Sequence, residues 1–311
     1  MPQPFRGTYT VLVTPFTADG ARVDLAALER LVAFQIDEGI DGLIPLGSTG
    51  EFLSVSREER TAIVETVIRA AAGRVPVLVG TGAEDTRDAV ALSREAEALG
   101  AAGVMVIPPF YSVPTEDELY VHYKTIADTL GVPVMVYNNP ATANVDLPPA
   151  LLARLSRIEA CRYVKESTLD VTRVRDIIAA CGERMAVFAG VLGYESAWLG
   201  AVGWVAVCSN VAPRLSAAMF RAAAAGDRAT ALPLYRRLAP LLPWVGGPRY
   251  VSGTKAAFRL MGMDMGPPRP PRLPLPEQDL PALAAVLRAL EEPSQVRQPL
   301  PHGDGCVVSA T

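Results

Sequence analysis

The 311-residue sequence predicts an α/β fold, a (β/α)8 TIM barrel with a C-terminal helical appendage. Two observations carry this expectation. Within the first 225 residues, eight short runs rich in β-branched residues alternate with eight segments of helical periodicity. The runs are also solidly apolar rather than alternating, which is the pattern of strands covered on both faces of a parallel sheet. A doubly wound open sheet fits the same alternation. Its Gly-rich phosphate fingerprint, however, is missing from the first strand–helix turn.

Taken in order, residues 8–14 (TYTVLVT) form the first strand, stopped by Pro15. Residues 24–39 place Leu25, Leu28, Leu31, Val32, Gln35 and Ile36 at helical spacing, with Gly39 to close the helix. The second strand covers 40–46 and runs into Gly47-Ser48-Thr49-Gly50-Glu51. Ser56 then caps a helix, with Glu59 at capping-box spacing. Strands at 75–80, 104–107, 132–137, 162–165, 186–189 and 204–208 precede helices at 86–99, 115–130, 148–156, 171–181, 194–199 and 213–225. Helical segments at 229–242, 250–261 and 279–290 read as an appendage without its own core, and proline-rich 266–276 as an extended connector. The expected domains are thus the barrel at 1–225, a helical extension at 226–291 and a mobile tail at 292–311 without apolar periodicity.

Half the residues are apolar and a fifth are charged, enough to bury a large core. The formal charge of −4, without a basic cluster, argues against nucleic acid as a partner. Cys161, Cys181, Cys208 and Cys306 have no CxxC spacing and read as small residues in a reducing compartment, with neither disulfide framework nor zinc site. With only His122 and His302, a histidine-based metal site or triad is not expected, and no cofactor is called for. The first residues lack the apolar core of a signal peptide, and the longest apolar run, 197–208, is too short to span a membrane. A soluble, cytoplasmic protein is the expectation.

The candidate chemistry centres on Lys165, in Cys161-Arg162-Tyr163-Val164-Lys165-Glu166-Ser167-Thr168. Tyr163 and Val164 favour a strand, while Ser167, Thr168 and Asp170 supply the cap chemistry that opens a helix. Lys165 therefore ends the sixth strand. It is either a snorkelling charge at a sheet rim or an amine placed to attack a carbonyl. Barrel active sites lie at the C-terminal strand ends, and other polar residues fall there too: Ser48 and Thr49 after strand two, Phe110 and Tyr111 after strand four, and Tyr137-Asn138-Asn139 ending strand five. Each has a plainer reading: a tight glycine turn, a strand aromatic, an interface filler. Their convergence on one rim favours the nucleophile.

Gly47-Ser48-Thr49-Gly50-Glu51, Pro108-Pro109-Phe110-Tyr111, Tyr137-Asn138-Asn139-Pro140 and Val164-Lys165-Glu166-Ser167 together resemble the signature of the dihydrodipicolinate synthase/N-acetylneuraminate lyase family over about residues 8–290. The resemblance implies a class I Schiff-base lyase, aldolase or dehydratase. Lys165 would form the Schiff base with pyruvate or another 2-oxo acid, Tyr137 would shuttle protons, and Ser48 and Tyr111 would form the relay behind it. The Ser48–Thr49 turn would hold the substrate carboxylate on backbone N–H groups, and the Val205 carbonyl and Gly190 would supply further contacts. Tyr111 in this family reaches across a dimer interface, implying a homo-oligomer, dimer or tetramer.

Departures from the family pattern are as informative. Dihydrodipicolinate synthases carry an arginine two residues past the YNxP proline, where this chain has Thr142, and threonine lacks the bidentate fork that holds a second carboxylate. The synthases' Gly-Asp-Asp turn after strand seven is here Gly190-Val191-Leu192-Gly193, before a shorter helix. Arg57, Arg60, Glu84 and Phe110 replace the groups that sense feedback lysine. Three readings therefore compete: a 2-oxo acid lyase outside lysine biosynthesis, 4-hydroxy-tetrahydrodipicolinate synthase itself, and a catalytically retired barrel that binds a small acid.

Overall fold

The computed structural model describes residues 5–291, so the expected tail at 292–311 lies outside the described residues. The eight apolar runs become eight short parallel strands: β1 (Gly7–Val11), β2 (Gly42–Ile44), β3 (Leu78–Gly80), β4 (Gly103–Val106), β5 (Val134–Asn138), β6 (Cys161–Glu166), β7 (Ala186–Ala189) and β8 (Gly203–Ala206). They pair in the order β2-β1-β8-β7-β6-β5-β4-β3. A parallel bridge between Leu43 and Val77 returns β3 to β2. There Leu43 N donates to Pro76 O (3.1 Å) and Gly80 N to Pro45 O (3.0 Å), which closes the barrel.

The helices follow the strands, and the first four are α1 (Leu25–Asp37), α2 (Arg57–Ala71), α3 (Thr86–Ala98) and α4 (Glu116–Ala127). Reciprocal capping boxes open α2 at Ser56/Glu59 and α4 at Thr115/Glu118. Next come α5 (Pro140–Ala143), an additional single turn started by its proline, then α6 (Pro149–Leu155), α7 (Thr172–Cys181), α8 (Gly193–Trp198) and α9 (Pro213–Ala224). The helix expected over 229–242 divides into α10 (Arg228–Leu238) and α11 (Leu242–Gly246), separated by a 3-10 turn, because Pro240 and Pro243 lack the N–H that would continue it. The chain continues through α12 (Tyr250–Leu260) to α13 (Leu280–Glu291), and the proline-rich connector between them holds no strand or α-helix.

Inside the barrel, Tyr9, Tyr163 and Phe188 pack edge to face, at centroid distances of 5.3 Å (Tyr9–Phe188) and 5.9 Å (Tyr163–Phe188), and Phe5 stacks on Tyr163 at 4.9 Å. Two strand glycines make room for them. A Cβ at Gly42 would sit 2.2 Å from the Tyr9 ring, and one at Gly203 would sit 2.1 Å from Phe188. These aromatics plug the N-terminal end of the barrel.

A second apolar cluster joins Ala189, Trp204 and Ala206 of β7 and β8 to Phe220 of α9, Leu238 of α10, Val245 of α11 and Leu283 of α13. The appendage thus shares its core with the last two strands. It is also fastened to the turn after β2: Lys255 Nζ meets Glu51 Oε1 at 2.9 Å with both side chains buried, and Arg269 N donates to Glu51 Oε2 (2.9 Å). Burial lowers the Lys255 ammonium to about 8, and the Glu51 carboxylate opposes that fall.

Candidate active site

On β5 and β6, Tyr137 pairs with Lys165 and Asn138 with Glu166. Side chains alternate along a strand, so one pair enters the barrel mouth while the next faces away. Tyr137 and Lys165 line a cavity of about 620 Å3 at the C-terminal ends of the strands. Lys165 is 6% exposed, and its Nζ lies 3.8 Å from the centroid of the Tyr137 ring. Asn139 Nδ2 donates to the Tyr137 hydroxyl (2.9 Å). Burial would raise this phenol, but the Lys165 charge and the Asn139 hydrogen bond outweigh it, and the pKa falls below 10.

Beyond β2 the chain makes a 3-10 turn over Ser48–Gly50, flanked by left-handed Leu46 (φ 61°) and Glu51 (φ 54°); this shortens the strand expected over 40–46. The turn uses the N–H groups of Gly50 (to Gly47 O, 3.0 Å) and Glu51 (to Ser48 O, 3.1 Å) rather than those of Ser48 and Thr49. Both Ser48 and Thr49 line the cavity, as do Gly190 and Thr142. Gly190 N donates to Glu166 O (2.7 Å), and a Cβ at Gly190 would fall 1.7 Å from Ser167 Oγ. Thr142 is exposed on α5 and donates to Asn139 O (3.3 Å).

Two of the sequence candidates lie elsewhere. Val205 is wholly buried within β8 and does not line the cavity, whose wall on this side is Trp204, Val207 and Cys208. Tyr111 is 87% exposed outside the cavity, and nothing within the chain brings it to Tyr137 or Ser48. Its backbone is nonetheless fixed, because Glu84 accepts hydrogen bonds from the N–H groups of Phe110 (2.8 Å), Tyr111 (2.9 Å) and Ser112 (2.9 Å). Burial works against the Glu84 charge, yet hydrogen bonds from Ser112 and these N–H groups hold it at about 2. Arg57 pairs with Glu95 (3.3 Å) and Arg60 donates to Gly80 O (2.8 Å), so both guanidiniums are engaged. The helix expected from residue 171 has Val171 at its N-cap, and Asp170 accepts from Thr172 N (2.9 Å).

Sequence reading missed the outward-facing pair. Asn138 Nδ2 donates to Glu166 Oε2 (2.9 Å) and Asp146 Oδ1 (3.0 Å), while Asn138 Oδ1 accepts from Leu147 N (3.0 Å). Arg173 closes the network with paired bonds to Asp146 (2.9 and 3.0 Å). This clamp behind the two strand ends fixes where Tyr137 and Lys165 point. Its signal was the polar Asn138 and Glu166 next to each candidate, at positions that a covered sheet leaves apolar unless they are paired.

A closed barrel holding a buried amine against a phenol at its C-terminal rim has the architecture of a barrel enzyme. The model of the dihydrodipicolinate synthetase family matches residues 4–290. The chain belongs to that family, and with it to the lyases. It is 38% identical over 288 residues to a 4-hydroxy-tetrahydrodipicolinate synthase of Acidiphilium cryptum, covering 92% of this chain and 98% of the relative. A putative dihydrodipicolinate synthetase from Pseudomonas aeruginosa superposes with a TM-score of 0.89 at 34% identity, covering 92% of this chain and all of that one. The chloride-inhibited dihydrodipicolinate synthase of Acinetobacter baumannii, solved with pyruvate, superposes with a TM-score of 0.86 at 34% identity, covering 92% and 98%. Among the described residues, no helix is long and apolar enough to cross a membrane, and no cluster of three potential metal ligands occurs.

Proposed function

We propose that the chain is a cytoplasmic, Schiff-base-forming lyase that acts on pyruvate or a related 2-oxo acid through Lys165. The observation that carries this is the buried Lys165 amine held 3.8 Å from the Tyr137 ring at the floor of the cavity. The amine attacks the 2-oxo carbon, water leaves, and a C=N bond links the acid to Lys165. The Tyr137 phenol, with its lowered pKa, takes and returns the protons that these steps move. The Ser48 and Thr49 N–H groups hold the substrate carboxylate, helped by the glycine at 190, which leaves the approach open. Tyr111 completes the relay from a second copy of the chain, which accounts for an aromatic 87% exposed on a fixed backbone and makes the working unit a homo-oligomer, dimer or tetramer.

The names of the relatives favour a second reading, 4-hydroxy-tetrahydrodipicolinate synthase itself. Thr142 and the Val191-Leu192 turn stand against it. Incubation with pyruvate and borohydride tests the chemistry: intact-mass and peptide mapping should find one reduced pyruvyl adduct on Lys165. An adduct that persists in Lys165→Ala, or none at all, overturns the mechanism.

A further inference from the structure

We propose that the second substrate of this enzyme is an aldehyde with an apolar substituent, an aliphatic chain or an aromatic ring, and not one bearing a carboxylate. The inference rests on the Lys165 reading and names the partner of the enzyme-bound 2-oxo acid.

The cavity above Lys165 is far larger than a three-carbon acid needs. At about 620 Å3 it falls among ordinary ligand pockets, roughly 300–1,000 Å3. Away from Lys165 its wall is made of Leu192, Val207, Met219, Leu238, Leu242 and Val245, drawn from the turn after β7, the loop after β8, and α9, α10 and α11. Lys165 is the sole lysine or arginine among the lining residues, and the Schiff base consumes its amine. The sole lining carboxylate, Glu195, accepts the Tyr235 hydroxyl at 2.8 Å. Tyr250 also lines the cavity, its phenol raised by burial, with the charge of nearby Arg272 opposing that rise. Thr142 offers one neutral hydroxyl, already donated to Asn139 O. A second carboxylate would therefore be desolvated among methyl groups without a counter-charge in the cavity lining, which is costly, whereas an apolar substituent gains from the same burial.

The chemistry balances without a further reactant. Loss of a methyl proton from the Lys165–pyruvate Schiff base gives an enamine. Its carbon attacks the aldehyde carbon, a C–C bond forms, and the carbonyl electron pair moves to oxygen, which takes a proton. Water then cleaves the C=N bond, releasing a 4-hydroxy-2-oxo acid and the free amine; the reverse sequence cleaves such an acid.

The test measures kcat/KM for the full chain with pyruvate and the straight-chain aldehydes propanal to hexanal, benzaldehyde and aspartate semialdehyde. In parallel, the borohydride adduct at Lys165 is quantified. Each added methylene should raise kcat/KM about fourfold, the equivalent of about 0.8 kcal/mol per buried CH2, and aspartate semialdehyde should fall at least about tenfold below hexanal. Leu242→Asp should flatten the chain-length gradient while the pyruvate adduct still forms. Thr142→Arg should raise turnover of aspartate semialdehyde alone. A flat or falling gradient in the wild type, or aspartate semialdehyde as the best partner, overturns the proposal while the adduct upholds the Schiff-base reading. Absence of the adduct overturns both. If Leu242→Asp does not fold, the wild-type series decides by itself.

Discussion

His122 is the sole imidazole among the described residues, and its surroundings make it a reporter of folding rather than of chemistry. Its Nδ1 meets Thr86 Oγ1 at 2.9 Å, and its Nε2 is buried without a hydrogen-bond partner. Burial pushes its pKa down to about 4, with Glu84 and Asp85 pulling the other way. The unfolded ring takes a proton near pH 6.5 while the folded one stays neutral. The contribution is therefore complete above pH ~6.5 and is lost as pH falls towards 4. The gap of about 2.5 pH units corresponds to at most about 3 kcal/mol. Urea midpoints between pH 7 and 4.5 should fall in the wild type and fall much less in His122→Gln. Glu84, held near 2, adds its own loss only below pH ~4.5. At this scale the sequence was partly legible. Lys165 and Tyr137 declare themselves by position at strand ends, because an amine and a phenol there need a reason. The equally buried Lys255 did not, since nothing local marks the helix residue that will meet Glu51 across more than two hundred residues.

At the scale of elements, periodicity identified all eight strands and every barrel helix but the single turn α5, because a covered parallel strand and an amphipathic helix leave different apolar patterns. Boundaries were less legible where a single dihedral or proline decides them, as at Leu46 and at Pro240. The Val205 expectation shows another limit. β8 ends at Ala206 before a 3-10 turn over Cys208–Asn210, so the cavity wall on this side is carried by Trp204 on the strand and by Val207 and Cys208 beyond it. The apolar wall was invisible because its residues, scattered from 192 to 245, read individually as core. One element-level contact is tight enough to test. In Gly190→Ala the new Cβ would meet Ser167 Oγ at 1.7 Å and Glu166 O at 2.9 Å, and the latter is a strand carbonyl already bonded to Gly190 N. The strand end must shift, so stability should drop by about 1–3 kcal/mol. Formation of the pyruvate adduct should slow with it; chemical denaturation and timed borohydride trapping measure the two effects.

For the whole molecule, the helical extension is a brace for the site. Lys255 on α12 and Arg269 in the connector both bind Glu51, the last residue of the turn that presents Ser48 and Thr49, and Arg269 also forms a salt bridge to Glu59 on α2 (2.6 Å). A buried pair broken on one side leaves an uncompensated charge, so Lys255→Met should destabilise the fold by about 3–5 kcal/mol. The double variant Lys255→Met/Glu51→Gln should recover much of that loss in urea denaturation. Recovery of stability without recovery of pyruvate binding is the expected signature of a brace that also sets the turn.

The aromatic plug of Phe5, Tyr9, Tyr163 and Phe188 governs traffic through the enzyme. It shuts the end of the barrel opposite the cavity, so the Lys165 amine at the C-terminal rim is reached from the cavity side. Two guests that share one doorway must queue. On the proposed mechanism the 2-oxo acid, tethered to Lys165, would have to enter first, and an aldehyde that arrived early would stand in its way. High concentrations of a well-fitting aldehyde should then slow turnover by blocking the corridor, and departure should run in a fixed sequence, with the joined acid leaving before the next pyruvate can come in.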